Sequence, residues 1–318
     1  MADITAGMVK ELRERTQAGM SDCKNALVEA GGDMDKAVDI ILKKGIVKAA
    51  SRAGRVATEG EVRTSVSADG KHGTIVEVNC QTDFVARGDD FRGFVHGVLE
   101  TAKTLQKGAD LGTHKFHGSD KTVETVRAEI VAKTGENTVV RRWAHVEASG
   151  PNALVHAYIH MGGKLAVLVE AEGPNAAALG NHDFKTFVDN VAMQIAAMNP
   201  LAVRREEIAK GDADKQREIL TAQFKEEQDA LAPEKRKPEA MWGKIVDGKV
   251  SKWFDEVTLL GQDSVTDPGK TVEAVRKEVS SKVGGDVKLL SFVRFSLGEG
   301  IEKKTDDLAA EVAKMTAG

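Results

Sequence analysis

The sequence predicts an α+β protein: a small helical module, then one α+β unit made twice, with an antiparallel helical hairpin inserted in the second copy and a short helix at the end. Three observations carry this. Two stretches recur along the chain, the mark of an internal duplication. Each copy opens on two alternating apolar runs around a glycine-containing turn, as an antiparallel hairpin does. The first 45 residues instead show helical periodicity interrupted by glycines.

Residues 5–45 read as three short helices. Thr5 is placed to cap the first, with Met8, Val9 and Leu12 on one face and Gly19 ending it. Ser21 is placed to cap the second, which ends at Gly31-Gly32. Asp33 caps the third, with Ala37, Val38, Ile41 and Leu42 at helical spacing and Gly45 as its stop. So small a core is marginal alone, which suits a docking module better than an enzyme. Residues 46–58, small and basic, read as a linker that is in part helical.

Lys121-Thr122-Val123-Glu124-Thr125-Val126-Arg127 recurs 149 residues later as Lys270-Thr271-Val272-Glu273-Ala274-Val275-Arg276. Asp90-Phe91-Arg92-Gly93-Phe94-Val95 recurs 93 residues later as Asp183-Phe184-Lys185-Thr186-Phe187-Val188, so the second copy holds 56 extra residues between these landmarks. In each copy a hairpin comes first, 61–67 with 74–80 around Asp69-Gly70, and 153–160 with 164–171 around Gly162-Gly163. A helix follows at 90–105 or 183–197, a second starts near 122 or 271, and a strand closes the copy at 138–147 or 287–297. Each copy is thus a three-stranded antiparallel sheet with two helices. The extra residues fall at 200–255, where a charged helix up to Leu231 and an apolar stripe from Met241 to Val257 flank Pro233 and Pro238, predicting the inserted hairpin. Residues 304–317 read as a last amphipathic helix with Leu308, Val312 and Met315 on one face. The domains are therefore 1–56, 57–148, 149–297 with the insertion at 200–255, and 298–318.

Composition narrows the function. At 30% charged residues the net charge is only -4, against a nucleic-acid binder driven by a basic surface. Aromatics are 4%, too few for a base-stacking platform. Cys23 and Cys80 follow no metal spacing and suit a reducing compartment. The start lacks a signal peptide, and no apolar run approaches the ~20 residues of a membrane span, so a soluble cytoplasmic protein is expected.

The chemical candidates mostly dissolve. Gly269-Lys270-Thr271 resembles the end of a phosphate loop, but Ser264 stands where the pattern needs a glycine, and Ser119-Asp120-Lys121-Thr122 in the other copy has none. A helix start explains both. His114 and His117 read as surface histidines with no third ligand nearby in sequence. His156 and His160 lie four residues apart on a predicted strand, about 13 Å at about 3.3 Å per residue, too far to share a metal. No metal site, cofactor or acid-base-nucleophile constellation emerges, which favours a binding protein.

What remains is Asn79-Cys80-Gln81-Thr82-Asp83-Phe84-Val85-Ala86-Arg87, a strand-to-helix loop followed by Asp89 and Asp90 as helix caps. One reading tucks Phe84 and Val85 under the loop with Asp83 capping a turn; the other makes Thr82, Asp83, Phe84 and Val85 a contact surface. The second copy has Ala171-Glu172-Gly173-Pro174-Asn175-Ala176 at its corresponding loop, so the scaffold does not need Asp-Phe there.

The chain resembles the elongation factor Ts family. The resemblance rests on Val78-Asn79-Cys80-Gln81-Thr82-Asp83-Phe84-Val85-Ala86, on Thr16-Gln17-Ala18-Gly19-Met20-Ser21-Asp22-Cys23-Lys24 within a module similar to that family's ubiquitin-associated-like domain, on the duplicated core with its hairpin, and on Gly298-Glu299-Gly300-Ile301-Glu302-Lys303-Lys304. It implies a guanine nucleotide exchange factor for elongation factor Tu, binding the GDP-bound and nucleotide-free forms in a one-to-one or two-plus-two complex. Nothing in it implies an enzyme, a cofactor, nucleic acid or a membrane. It further implies that Asp83 and Phe84 enter the partner near its Mg²⁺ site, and that Arg13, Met20, Thr138, His160, Leu308, Val312 and Met315 add contacts. Ser21 stands where family members often carry a second methionine. The competing reading is a ubiquitin-type or chaperone-like adaptor that binds through residues 5–45 alone; deleting that module separates the two.

Overall fold

The computed structural model describes residues 4–16 and 18–302. Three helices come first: α1 (Ala6–Thr16), α2 (Met20–Glu29) and α3 (Met34–Arg52). They close on Val9, Leu12, Cys23, Ala26, Leu27, Ala37 and Ile41. Thr5 Oγ1 accepts the Met8 N–H at 3.3 Å, and Asp33 accepts those of Asp35 and Lys36 at 3.1 Å each, so the first and third caps are as the sequence indicates. The second is not: α2 opens one residue before Ser21, with extended Gly19 as its N-cap and no side-chain cap bond.

Gly45 does not stop α3, which continues through residues 46–52, the helical part of the linker. A mid-helix glycine costs about 1 kcal/mol against alanine, a small term beside tertiary packing. Here α3 crosses α6 (Val123–Thr134): Ala49, 1% exposed, packs on Ala128 and Val131, and a Cβ at Gly45 would already lie 3.5 Å from the Ala132 Cβ. Arg52 Nη1 donates to the Val131 carbonyl at 3.2 Å, and Asn137 Nδ2 donates to those of Ala53 and Arg55 at 3.3 and 2.8 Å, pinning the joint that follows.

The core holds two three-stranded antiparallel sheets. The first is β1 (Glu59–Val66), β2 (His72–Cys80) and β3 (Val139–Glu147), with β2 central; the second is β4 (Ala153–His160), β5 (Leu165–Glu172) and β6 (Lys288–Ser296), with β5 central. Each central strand is buried along almost its whole length because both its faces are covered. Val76, Val78 and Cys80 face α5 (Asp89–Ala102) through Phe91, Phe94, Val95 and Val98. Val167, Val169 and Ala171 face α8 (His182–Met198) through Phe184, Phe187, Val188 and Ile195. The odd-numbered Ile75 and the even-numbered Leu168 point the other way, into a shared sheet-on-sheet layer with Val62, Val146, Val155, Ala166 and Phe295.

That layer has near-twofold symmetry. Val62 N–H donates to the Gly163 carbonyl at 2.7 Å, and Val155, 93 residues on, donates to that of Gly70 at 2.8 Å. Both third strands carry a bulge at equivalent places, Arg141 opposite Glu77/Val78 and Leu290 opposite Glu170/Ala171. Gly73 allows the close approach: a Cβ there would meet Val155 Cγ1 at 2.6 Å.

The second unit is completed by α11 (Val272–Lys282) and by the insertion, α9 (Lys210–Asp229) and α10 (Trp242–Val257). The hairpin has its own core of Phe224, Val246 and Val250 flanked by Leu220, Trp242 and Phe254, with Trp242 edge-on to Phe224. Met241, expected in the stripe, is 49% exposed because it precedes the helix. Thr122 and Thr271 cap α6 and α11 through the N–H groups of Thr125 and Ala274, so the lysine-threonine pairs are helix starts. Among the described residues no helix is long and apolar enough to cross a membrane.

Candidate functional site

The site is built where β2 leaves the sheet. Cys80 is fully buried, and burial first, then the charges of Glu136 and Glu59, push its thiol up to about 12. Such a thiol is packing, not a nucleophile. Its Sγ–H donates to the Thr82 carbonyl at 3.2 Å. Glu136, beyond the end of α6, then clamps the exit. One carboxylate oxygen accepts the N–H groups of Gln81 and Thr82 at 3.2 and 2.9 Å, and the other accepts the Thr82 hydroxyl at 2.6 Å. Gln81 Oε1 accepts the Asn137 N–H at 2.8 Å, so the clamp is continuous with the joint after α3.

The segment expected to be a loop is a helical turn, α4 (Asp83–Arg87), with Thr82 as N-cap accepting the Val85 N–H at 3.4 Å. Asp83 sits in its first turn, where the helix dipole favours a carboxylate, and pairs with Arg87 at 3.0 Å. Asp89 and Asp90 are first-turn residues of α5, whose N-cap is Gly88. The turn directs Ala86 and part of Val85 into the first core. Phe84 is left 85% exposed. Phe84 therefore does not tuck under the turn.

The second unit repeats the turn without its chemistry. Asn175 caps α7 (Ala176–Gly180), and the 93-residue offset sets Ala176 and Ala177 against Asp83 and Phe84. The equivalent stretch is thus 174–180, not 171–176. A scaffold that makes the same turn from alanines does not require an aspartate and a phenylalanine to fold.

The β4–β5 turn lies against β1, the strand on which α4 also packs. It presents Met161 at 75% and Ile159 at 48% exposure, and Lys164 pairs with Glu59 at 2.6 Å. Met161 holds a left-handed φ of 47°. His160 is exposed beside them, with its Nδ1 3.0 Å from the Tyr158 hydroxyl. Sequence reasoning selected His160 and missed its two apolar neighbours, although apolar residues flanking Gly162-Gly163 were a readable signal. Arg13 and Met20 are exposed on the N-terminal module, outside the core that carries Phe84. Thr138 is 0% exposed where β3 begins, with its carbonyl taken by Arg127, so its side chain faces no partner surface in this fold. Leu308, Val312 and Met315 lie outside the described residues. Among the described residues no cluster of His, Cys, Asp or Glu could hold a metal ion. The site is thus an exposed aromatic beside a carboxylate on a braced turn, suited to insertion into another surface.

A family model described as Elongation factor TS matches residues 81–299. Proteins named "Elongation factor Ts" are similar along the whole chain. That of Nitratiruptor sp. is 45% identical over 98% of each chain. That of Clostridium kluyveri is 42% identical over 99% of each, and that of Clostridium perfringens 44% identical over 98% of this chain and 99% of its own.

Proposed function

The chain belongs to the elongation factor Ts family, and on that footing we propose that it is a guanine nucleotide exchange factor for elongation factor Tu, acting in the cytoplasm during translation elongation. The observation that carries the mechanism is Phe84, 85% exposed on a clamped turn whose twin in the second unit is alanine. Phe84 wedges between side chains of the partner's nucleotide domain. Asp83 disturbs the groups that hold the partner's Mg²⁺. That ion demands near-octahedral ligands and bridges nucleotide phosphates, so a small displacement around it weakens GDP strongly. The clamp of Glu136 on Gln81 and Thr82 keeps the wedge preorganised, so little ordering cost is met on docking.

Coupling is reciprocal: by whatever ratio the factor weakens GDP, GDP weakens the factor. Rebinding of a nucleotide then releases the factor, and no covalent step is required. Arg13, Met20 and His160, exposed in this structure, and Leu308, Val312 and Met315 of the tail supply further contacts. The test is release of fluorescent GDP from elongation factor Tu. Acceleration at substoichiometric amounts is expected; a folded sample that binds the partner without accelerating release overturns the proposal.

A further inference from the structure

The duplication lets each unit serve as a control for the other. In the second unit the edge strand β6 is closed by the insertion: Arg204 Nη2 donates to the Leu289 carbonyl at 2.9 Å, Val203 enters the core, and Leu289 is 0% exposed. In the first unit the chain between α5 and α6 has no insertion, and the counterpart of Leu289 is Val140, 149 residues earlier and only half-buried. No side chain among the described residues donates to the Val140 carbonyl. A groove of about 510 Å³ lies there, floored by Leu111, Val123, Val140 and Trp143 and rimmed by charges of both signs, Arg127 paired with Glu124, Asp110 and Arg141.

The chain itself arrives at this groove. After β6 the Arg142 guanidinium donates to the Ser296 carbonyl at 3.0 Å, Arg141 donates to that of Glu299, and Gly300 lies against Arg141. The described residues end at Glu302, and 16 more follow.

We propose that residues 303–318 occupy the first unit's groove in the free protein, setting Leu308, Val312 and Met315 on Leu111, Val140 and Trp143, where the insertion lies in the second unit. The spacing of the three apolar residues gives a single face, which a helix must bury somewhere to be stable in water. Fourteen helical residues (304–317) would run about 21 Å, enough to follow the groove from Arg141. Asp306, Asp307 and Glu311 balance Lys303, Lys304 and Lys314, so no net charge opposes docking beside the mixed-charge rim.

The test is hydrogen exchange by mass spectrometry on the full chain without partner. It compares wild type with the double variant Leu308→Asp, Val312→Asp. Amides of 109–113 and 139–143 are expected to exchange roughly tenfold faster in the variant, while those of 288–292 do not change. The reciprocal variant Val140→Asp is expected to speed exchange across 304–317. Groove amides that exchange equally in wild type and tail variant overturn the proposal. Protection that disappears on dilution together with a sedimenting dimer also overturns it, by making a second copy the occupant.

Discussion

The carboxylate of Glu77, buried in the first unit, accepts the backbone N–H of Gly298, just past the end of the second unit, at 2.8 Å. Its counterpart across the pseudo-twofold, Glu170, accepts the N–H of Ser149, just past the end of the first unit, at 2.7 Å. The residue just past each unit thus caps a buried carboxylate of the other, and each carboxylate sits opposite the bulge of its neighbouring third strand. The two have diverged in charge: Glu77 also takes Arg141 at 2.9 Å and Arg142 at 2.5 Å, whereas Glu170 takes the Ser291 hydroxyl at 2.9 Å.

Glu77 therefore makes stability depend on pH. Burial raises its pKa, but the Gly298 N–H and the two guanidiniums outweigh that and hold it below its ordinary value near 4.5. A carboxylate depressed in the folded state stabilises above the unfolded pKa, and that stability is lost as pH falls through the folded one. Wild type is expected to lose stability below about pH 4.5 more steeply than Glu77→Gln. At neutral pH, Glu77→Ala removes the buried carboxylate shared by two guanidiniums and the Gly298 N–H and costs about 3 kcal/mol. Urea midpoints across pH measure both effects, and equal acid slopes for wild type and Glu77→Gln would refute the assignment.

Phe84→Ala separates function from folding. At 85% exposure the ring adds little to the core, so unfolding free energy is expected within about 0.5 kcal/mol of wild type. Acceleration of GDP release from elongation factor Tu is expected to fall roughly tenfold or more, the scale of one interface anchor. A stable variant that exchanges as wild type rules out the wedge.

Much of this architecture was legible because duplication repeats its own signals. Alternation around Asp69-Gly70 and Gly162-Gly163 gave both hairpins, and the 93- and 149-residue offsets gave both units. Local rules failed where distant packing decided. Gly45 reads as a stop, yet α3 continues because α6 receives Ala49. The turn at 83–87 is too short to show periodicity, and its clamp, Glu136, lies 54 residues from Thr82. Thr138 was a candidate contact, but it is buried where β3 begins, and the arginine that takes its carbonyl comes from α6. A glutamate inside Ile75-Val76-Glu77-Val78 was the readable sign of a buried partner network, though nothing in the sequence named Gly298.

Glu136→Ala tests whether the wedge must be braced. It removes acceptors from two N–H groups and one hydroxyl in the half-buried exit of β2, a loss of about 1–3 kcal/mol. Thr82 remains to cap α4, so the turn itself is expected to persist. Exchange activity should fall while the Phe84 side chain is untouched, and restoring the carboxylate one methylene shorter with Glu136→Asp should recover part of it. Full activity in Glu136→Ala would show that the turn is rigid without its clamp.

Ala49→Asp tests the docking of the N-terminal module. Ala49 is 1% exposed between α3 and α6, and an unpaired carboxylate there costs several kcal/mol. That exceeds what three small side chains and the Arg52 bond to Val131 supply. The module's own core, around Leu12, Cys23 and Leu27, does not include this contact. It should therefore detach from α6 while staying folded. Far-UV circular dichroism should change little, while the radius of gyration from small-angle scattering rises and proteolysis near 46–58 accelerates. An unchanged radius with unchanged cleavage would mean that the pinning of Ala53 and Arg55 by Asn137 suffices to hold the module against the core.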